Sequence, residues 1–400
     1  MASTTFQRGG THTALVPQRW SKADYKFAFA ANPYLPFMSA KDGAIIQVKK
    51  DFTKEKGDKL TFGLRGLLQG SGETDDGNYE DNEQAMSFYD MSVQIHERGT
   101  STLLSGNMTE QAAYTNLRPK GRAAIREWSG RVQARDITDA LSGMVSKSFA
   151  GQITGANATD SSSVQIATVN QVSLTKSATA LRWFGGGQNS SGVIERVAND
   201  AAIDSTSTNL FGTKVIEYVK RMAKKTIDAS GNPVSPIRPV YVDGAPYFVF
   251  YIDELQMKQL RADTDWKNAQ KDANLRGKTN PLFSGMAGIW DGVVIKPIEL
   301  LHKRLGAGGV TAPEYFDTTS DACASGITVC RALFCGAQAA CFAWGKMPVW
   351  KDGYKDWQRT KWGTHTDMIY GVKKSVFATG AGSANVEFGC VCVDTAVIAD

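Results

Sequence analysis

Four histidines, His12, His96, His302 and His365, are the whole supply of imidazole in this 400-residue chain. A hydrolytic triad needs one of them beside a Ser or Cys nucleophile on a strained turn, and the Gly-x-Ser-x-Gly turn that would present such a nucleophile is missing. His96 falls on the polar side of a strand-like alternation, and His12 lies in an irregular first segment. A nucleotide site needs glycines between a strand and a helix. Gly-x-x-x-x-Gly-Lys-Ser/Thr is absent, and Gly185-Gly186-Gly187 sits in a polar stretch away from any helix start. The six cysteines, Cys323, Cys330, Cys335, Cys341, Cys390 and Cys392, form no Cys-x-x-Cys pair. With so few histidines they lack the spacing of a zinc site and read as reduced, buried small residues. Asp75-Asp76-Gly77-Asn78 gathers oxygen ligands, but not at the EF-hand spacing, so solvation is the default reading. The expectation is a chain with no catalytic residue, no cofactor and no metal.

The elements themselves look built for contact. Residues 45–106 read as a long two-stranded ribbon. Its outgoing arm comprises Ile45 to Lys49 and, after a polar turn, Leu60 to Leu64. Gly66-Leu67-Leu68-Gln69-Gly70-Ser71-Gly72 leads to an acidic tip, Glu73 to Asn78. The return arm is Ser87 to Glu97, where Val93 and Ile95 alternate with polar Ser92, Gln94 and His96, the period of a half-solvated strand. An isolated hairpin is marginal in water, and the neighbouring sequence supplies no evident seat. The apolar side is therefore expected to lie on a second copy of the chain.

A long helix follows, from an Asn116 cap with Pro119 in the first turn to about Ser142, ahead of Gly143. Leu117, Ala124, Ile125, Trp128 and Val132 share one side of its first half, and Ile137, Ala140, Leu141 and Met144 share another side further on. The displaced stripes predict a helix touching two different bodies, with Gly130 near the changeover; a helix broken at Gly130 is the alternative. Arg118, Arg122 and Arg126 form a row spaced by four, expected to pair with Glu127 and Asp136 in solvent.

Length and composition fit these elements. The hydrophobic fraction of 42% supports a sizeable core, and a net charge of +5 shows no concentrated basic face of a nucleic-acid binder. No apolar run is long enough to cross a membrane, and residues 1–30 lack the apolar segment of a signal peptide. Residues 1–44 read as an aromatic-bearing arm, and 151–208 as a loop-rich excursion. A helix over 209–228 carries Val215, Val219 and Met222 on one face. Tyr247 to Ile252 is a strand covered on both faces. Asp253 with Gln256 forms a capping box, and Asp263 caps a second helix running to about Arg276. Near the C-terminus, alternation puts Phe388, Cys390 and Cys392 on one face. Strands interleaved with helices, without regular repetition, give an α+β class.

Several blocks then resemble one family. They are Leu64-Arg65-Gly66-Leu67-Leu68-Gln69-Gly70-Ser71-Gly72, Asn82-Glu83-Gln84-Ala85-Met86, Val93-Gln94-Ile95-His96-Glu97-Arg98 and Ser105-Gly106-Asn107-Met108-Thr109. The order continues through Leu260-Arg261-Ala262-Asp263, Asn280-Pro281-Leu282-Phe283-Ser284-Gly285, Gly336-Ala337-Gln338-Ala339 and Gly371-Val372-Lys373-Lys374. Together these are similar to the major capsid protein of N4-like tailed phages.

That resemblance implies an HK97-type capsid fold: an N-terminal arm over 1–44, an extended β-hairpin loop over 45–106, and a peripheral domain with the spine helix over 107–150. An axial domain over 151–345 and C-terminal strands over 346–400 complete it. It implies self-assembly as hexamers and pentamers into an icosahedral virion shell around double-stranded DNA, bound without sequence preference. Portal, scaffolding and decoration proteins are the further partners, there is no membrane, and synthesis is in the host bacterial cytoplasm. Residues expected to meet neighbouring copies are Leu64, Leu67, Leu68, Phe88 and Tyr89, with Arg98 and Trp128. A tail-tube or other ring-forming virion protein, and a carbohydrate-active enzyme using the acidic tip, are the competing readings.

Overall fold

The computed structural model describes residues 32–50, 57–65, 88–104, 117–143, 177–199, 209–226, 235–272, 288–299, 303–305, 327–355, 361–377 and 386–397, with a few isolated positions between them. In chain order the strands are β1 (Met38–Ser39), β2 (Ile46–Lys49), β3 (Lys59–Arg65), β4 (Phe88–Gln94) and β5 (His96–Leu103). Helix α1 (Leu117–Ser142) follows, then β6 (Trp183–Gln188), β7 (Ile194–Arg196) and α2 (Thr213–Ala223). Next come β8 (Val240–Val242), β9 (Ala245–Ile252), α3 (Glu254–Ala262), α4 (Thr264–Asp272), β10 (Gly288–Trp290), β11 (Val293–Pro297) and β12 (Lys303–Leu305). The last strands are β13 (Thr328–Cys335), β14 (Ala340–Tyr354), β15 (Trp362–Lys374), β16 (Val376–Phe377), β17 (Val386–Glu387) and β18 (Cys390–Val397).

The chain divides into two compact units. One contains Thr100–Ser129 and Trp350–Thr366; the other contains Ala31–Gly99, Gly130–Val349 and Asp367–Asp400. Helix α1 and strands β5, β14 and β15 each contribute residues to both.

The larger unit is built on a mixed sheet in the order β10-β11-β9-β13-β18-β6-β7. β9 lies between parallel β11 and antiparallel β13, which explains its unbroken run of buried residues from Phe248 to Ile252. Alternate residues of these strands serve two layers. Phe248, Phe250, Ile252, Ala332, Phe334, Val391 and Val393 join one core with Val215, Val219 and Met222 of α2 and Met257 and Leu260 of α3. Asp253 and Gln256 cap α3 reciprocally, as their spacing requires. Helix α4 is described from Thr264 to Asp272, and its expected end near Arg276 lies outside the described residues.

The opposite face of that sheet receives the end of α1. The carbonyl of Leu141 accepts from the Cys392 thiol at 3.4 Å, and that of Ser142 accepts from Arg331 Nη1 at 3.0 Å. Helix C-termini carry orphan carbonyls and partial negative charge, so a buried guanidinium there meets both needs. Arg331 is held in turn by Asp394, whose carboxylate also accepts from Trp183 Nε1 at 2.9 Å. Cys390 and Cys392 share this face, as the alternation predicts. Cys330, Cys335, Cys341, Cys390 and Cys392 are buried and form no disulfide with one another.

Helix α1 is unbroken through Gly130, but its burial differs from the two-stripe expectation. Before Gly130 only Ile125 and Ser129 are buried; from Val132 to Ser142 nearly every residue is. The polar residues of the second half are tolerated because they are paired. Asp136 accepts from Arg98 and from the Tyr370 hydroxyl. Thr138 donates to Ala134 O at 3.0 Å and shares a 2.8 Å bond with Tyr34, itself edge-on to Tyr251. Asp136 therefore does not serve the Arg118, Arg122 and Arg126 row; Arg122 instead pairs with Asp352.

Candidate assembly surface

Seven residues were expected at contacts between copies, and the ribbon holds most of them. β3 and β4 pair antiparallel in the register Leu60↔Val93, Phe62↔Met91, Leu64↔Tyr89 and Arg65↔Phe88. With a side-chain period of two, Leu60, Phe62, Leu64, Tyr89, Met91 and Val93 all point one way. The sequence reading gave the ribbon no seat on its own chain. The structure corrects this: Met91 and Val93 are buried with Cys341, Ala343 and Phe377, and Leu60, Phe62, Leu64, Tyr89 and Phe388 pack around them. Those partners lie some 250 residues or more along the chain, beyond any local pattern. A second correction concerns Ile46–Lys49, expected in the outgoing arm. It is β2, paired in parallel with β1 and with β14 in the sheet β1-β2-β14-β15-β5.

Leu64 and Tyr89 thus form a half-buried cross-strand pair on the seated face. Phe88 projects from the other face and is 68% exposed, and neighbouring Met86 is 59% exposed. Burying a phenylalanine side chain is worth about 1.5–3 kcal/mol, so an aromatic held in water at the end of a ribbon marks an unfinished surface. Leu67 and Leu68 lie outside the described residues, as do the acidic tip, His12 and His302.

Arg98 has a defined role within the chain. At the start of β5 its guanidinium meets Asp136 and lies 3.4 Å from the Tyr370 hydroxyl. Burial pushes the Asp136 carboxyl upward while the Arg98 charge pulls it down. Burial likewise holds the Tyr370 hydroxyl protonated, as a donor. Trp128 is half-buried on α1 in the smaller unit. His96 is only partly exposed, rather than on a fully solvated face, with a buried Nε2 that has no hydrogen-bond partner. His365 is exposed on β15. Among the described residues no three His, Cys, Asp or Glu side chains converge to hold a metal ion, and the buried thiols of Cys390 and Cys392 are pushed well up, away from the reactive thiolate.

What distinguishes the chain is therefore its form. The family described as phage capsid protein matches residues 13–399. The major capsid protein of Pseudomonas phage KPP25 is 27% identical over 352 residues, covering 87% of this chain and 85% of that one. Among solved structures, the capsid of Ralstonia phage GP4 superposes with a TM-score of 0.73 at 22% identity, over 100% of this chain and 99% of that one. The cyanophage Pam1 capsid follows at 0.68 and 20% identity, over the full length of both chains. The capsid of Helicobacter pylori bacteriophage KHP30 gives 0.66 at 11% identity, over 99% of this chain and 98% of that one. These matches carry the HK97-type fold and the family level, not the N4-like subgroup. By sequence and by fold, the chain belongs to the phage capsid protein family and does the work of a major capsid protein.

Proposed function

We propose that copies of this chain assemble, as hexamers and pentamers, into an icosahedral virion shell that encloses packaged double-stranded DNA, and that the ribbon is the part that reaches a neighbouring copy. The observation that carries this reading is the division of the ribbon's two faces. Its inner face, from Leu60 to Val93, is seated on the chain itself, while Phe88 at its far end stays in solvent. The seat fixes the direction of the ribbon, and the exposed end supplies the apolar contact. Phe88 and Tyr89, with Leu67 and Leu68 of the connecting segment, are the proposed anchors, and Leu64 supports them from the seated face. Trp128 is a further proposed contact on α1. A head-to-tail contact of this kind uses two different patches and closes only through rotational symmetry. Contacts of about 800 Å² per partner, repeated around each copy, are sufficient for a stable shell.

Removing residues 66–84 tests the proposal. The truncated chain is expected to fold, because β3 and β4 keep their register and their seat, but to form no closed shells by electron microscopy. Shells of normal size and yield from the truncated chain would overturn it.

A further inference from the structure

Cys335 ends β13 and Cys390 opens β18, and the two strands pair antiparallel with these residues directly opposite. Just beyond them the Gly336 N–H donates to the Gly389 carbonyl at 2.9 Å. Bonded and non-bonded pairs alternate along an antiparallel ladder. Cys335 and Cys390 are therefore a non-hydrogen-bonded pair, in which Cα atoms stand about 4.5 Å apart and side chains are closest. Both side chains lie on the face that receives the end of α1, and their sulfurs are 3.7 Å apart. A disulfide spans Cα separations of about 4.4–6.8 Å, with its sulfurs about 2.05 Å apart. Rotation about the two Cα–Cβ bonds thus closes most of the gap without moving the strands.

The surrounding backbone holds the pair in place. A Cβ on Gly336 would fall 2.4 Å from the Arg238 carbonyl oxygen, and one on Gly389 would fall 2.5 Å from the Ala339 Cα. The strand ends are packed against other backbone and cannot drift apart. The other buried thiols compete poorly. Cys392 is two residues along the same strand, about 6.6 Å from Cys390, and its thiol is directed to the Leu141 carbonyl at 3.4 Å. Cys330 lies on the opposite side of the sheet, 3.9 Å from the Asp253 carboxylate. Cys341 belongs to the seat of the ribbon.

The place of the pair in the chain gives such a bond a purpose. The chain leaves the larger unit's sheet at Cys335, builds β14, β15, β16 and β17, and returns at Cys390, 55 positions later. A bond between the two sulfurs shuts the neck of that excursion.

We propose that Cys335 and Cys390 are the site of a latent cross-strand disulfide, reduced when the chain is made and closed by a small hydroperoxide, which fastens β13 to β18 at this neck. One thiol gives up its proton and its sulfur attacks the peroxide: an S–O bond forms, the O–O bond breaks, and the departing hydroxide takes that proton to become water. The second sulfur then attacks the sulfenic acid: the S–S bond forms, the S–O bond breaks, and the second thiol's proton leaves in another water. Two thiols are oxidised by two electrons, and one peroxide is reduced to two waters. Burial pushes the Cys390 thiol up while the charge of Lys374 opposes it, so closure is slow. A reagent as small as peroxide needs only a local opening to arrive. Thiol systems inside cells keep such a pair reduced, and a particle outside a cell has none. On the shell reading above, the closed form belongs to the released particle.

The test treats the purified full-length subunit with hydrogen peroxide, denatures it, alkylates the remaining thiols and maps the peptides by mass spectrometry. Cys335 and Cys390 are expected in one linked peptide pair that dithiothreitol separates, with the other four of the six cysteines alkylated. The thermal midpoint should rise by about 4 °C or more over the reduced subunit, as for closure of a loop of this length, and fall back on reduction. Cys335→Ala and Cys390→Ala should each lose both the link and the shift. If either variant fails to fold, the wild-type cycle of oxidation and reduction still decides. The proposal is overturned by full alkylation of both cysteines after treatment, by sulfinic acid at either without a link, by a link from either to Cys392, or by a link that leaves the midpoint unchanged. None of these readouts needs a particle, so a failure to form closed shells would count against the shell reading alone.

Discussion

The guanidinium of Arg331 donates to the carbonyl of Ser142 at 3.0 Å while it clasps the buried carboxylate of Asp394. One side chain therefore ends the spine helix, neutralises a core acid and ties both to the central sheet. Losing half of a buried pair leaves the other half charged and dry, at a cost of about 3–5 kcal/mol. Arg331→Met is expected to lower stability by that amount in chemical denaturation. The double change Arg331→Met, Asp394→Leu should recover part of the loss, because it removes the stranded charge. A double variant no better than the single one would show that the carbonyl of Ser142, not the pairing, dominates.

Phe88 and Met91 sit three residues apart on β4 and have opposite surroundings, one 68% exposed and the other 4%. Phe88→Ser should leave the stability of the isolated subunit within about 0.5 kcal/mol, as for surface changes generally, while abolishing closed particles. Met91→Ala should cost about 2–5 kcal/mol, because it empties the ribbon's seat. Denaturation midpoints and particle counts from the same preparations separate the two effects. Normal particles from Phe88→Ser would remove Phe88 from the contact.

Much of the fold could be read where the signal is local. The Tyr247–Ile252 run, the Asp253–Gln256 cap and the shared face of Cys390 and Cys392 needed only neighbouring residues. The ribbon's alternation likewise marked Val93 as part of an apolar face, although it assigned that face to a second copy rather than to the chain's own seat. What escaped was long-range. Ile46–Lys49 has the apolar content of any strand, and only its parallel pairing with Ala340–Ala343 tells it from a ribbon arm. Arg98, expected at a contact between copies, meets Asp136 and Tyr370 of its own chain, which lie 38 and 272 positions away. The stripes of α1 misled because polar residues buried by pairing, such as Asp136 and Thr138, count as solvent-facing in any hydrophobic periodicity.

Gly130 stands in the interior of α1, and a methyl group added there would meet nothing within 4 Å. Glycine costs about 1 kcal/mol relative to alanine in a helix interior. Gly130→Ala is therefore expected to stabilise the subunit by about that amount in denaturation. A loss of stability would mean that the helix must depart from regular geometry at the boundary between the two units.

Lys296 is buried with its ammonium 4.4 Å from the Phe37 ring centre. Burial lowers its pKa to about 8, whereas a lysine in the unfolded chain titrates near about 10.4. Between those values the unfolded chain binds more protons, so this group makes stability rise with pH across that window. Below pH 8 both states are charged and the penalty is full and constant. Lys296→Met should be more stable than wild type at pH 7, and the gap should close as the pH approaches 10. A gap that does not change with pH would mean that the ammonium is well solvated.

Gly371, on β15 of the five-stranded sheet, lies against Gln94, where the chain leaves the ribbon. A Cβ at this position would fall 2.1 Å from the carbonyl oxygen of Gln94 and 3.1 Å from Val93. Gln94 cannot retreat freely, because Asn170 accepts from its N–H at 3.0 Å and donates to its carbonyl at 2.8 Å. Gly371→Ala must therefore push backbone against backbone, which places its cost toward the upper end of the 1–3 kcal/mol usual for overpacking, at about 3 kcal/mol. The strain should release the Asn170 bonds first, so hydrogen exchange at the Gln94 amide is expected to accelerate before global unfolding does. Because Val93 and Met91 anchor the ribbon just upstream, the folded fraction of the variant should also aim the ribbon wrongly and form few closed particles. Wild-type exchange at Gln94 in Gly371→Ala would mean that the two backbones do not approach this closely, and that the glycine serves some other need.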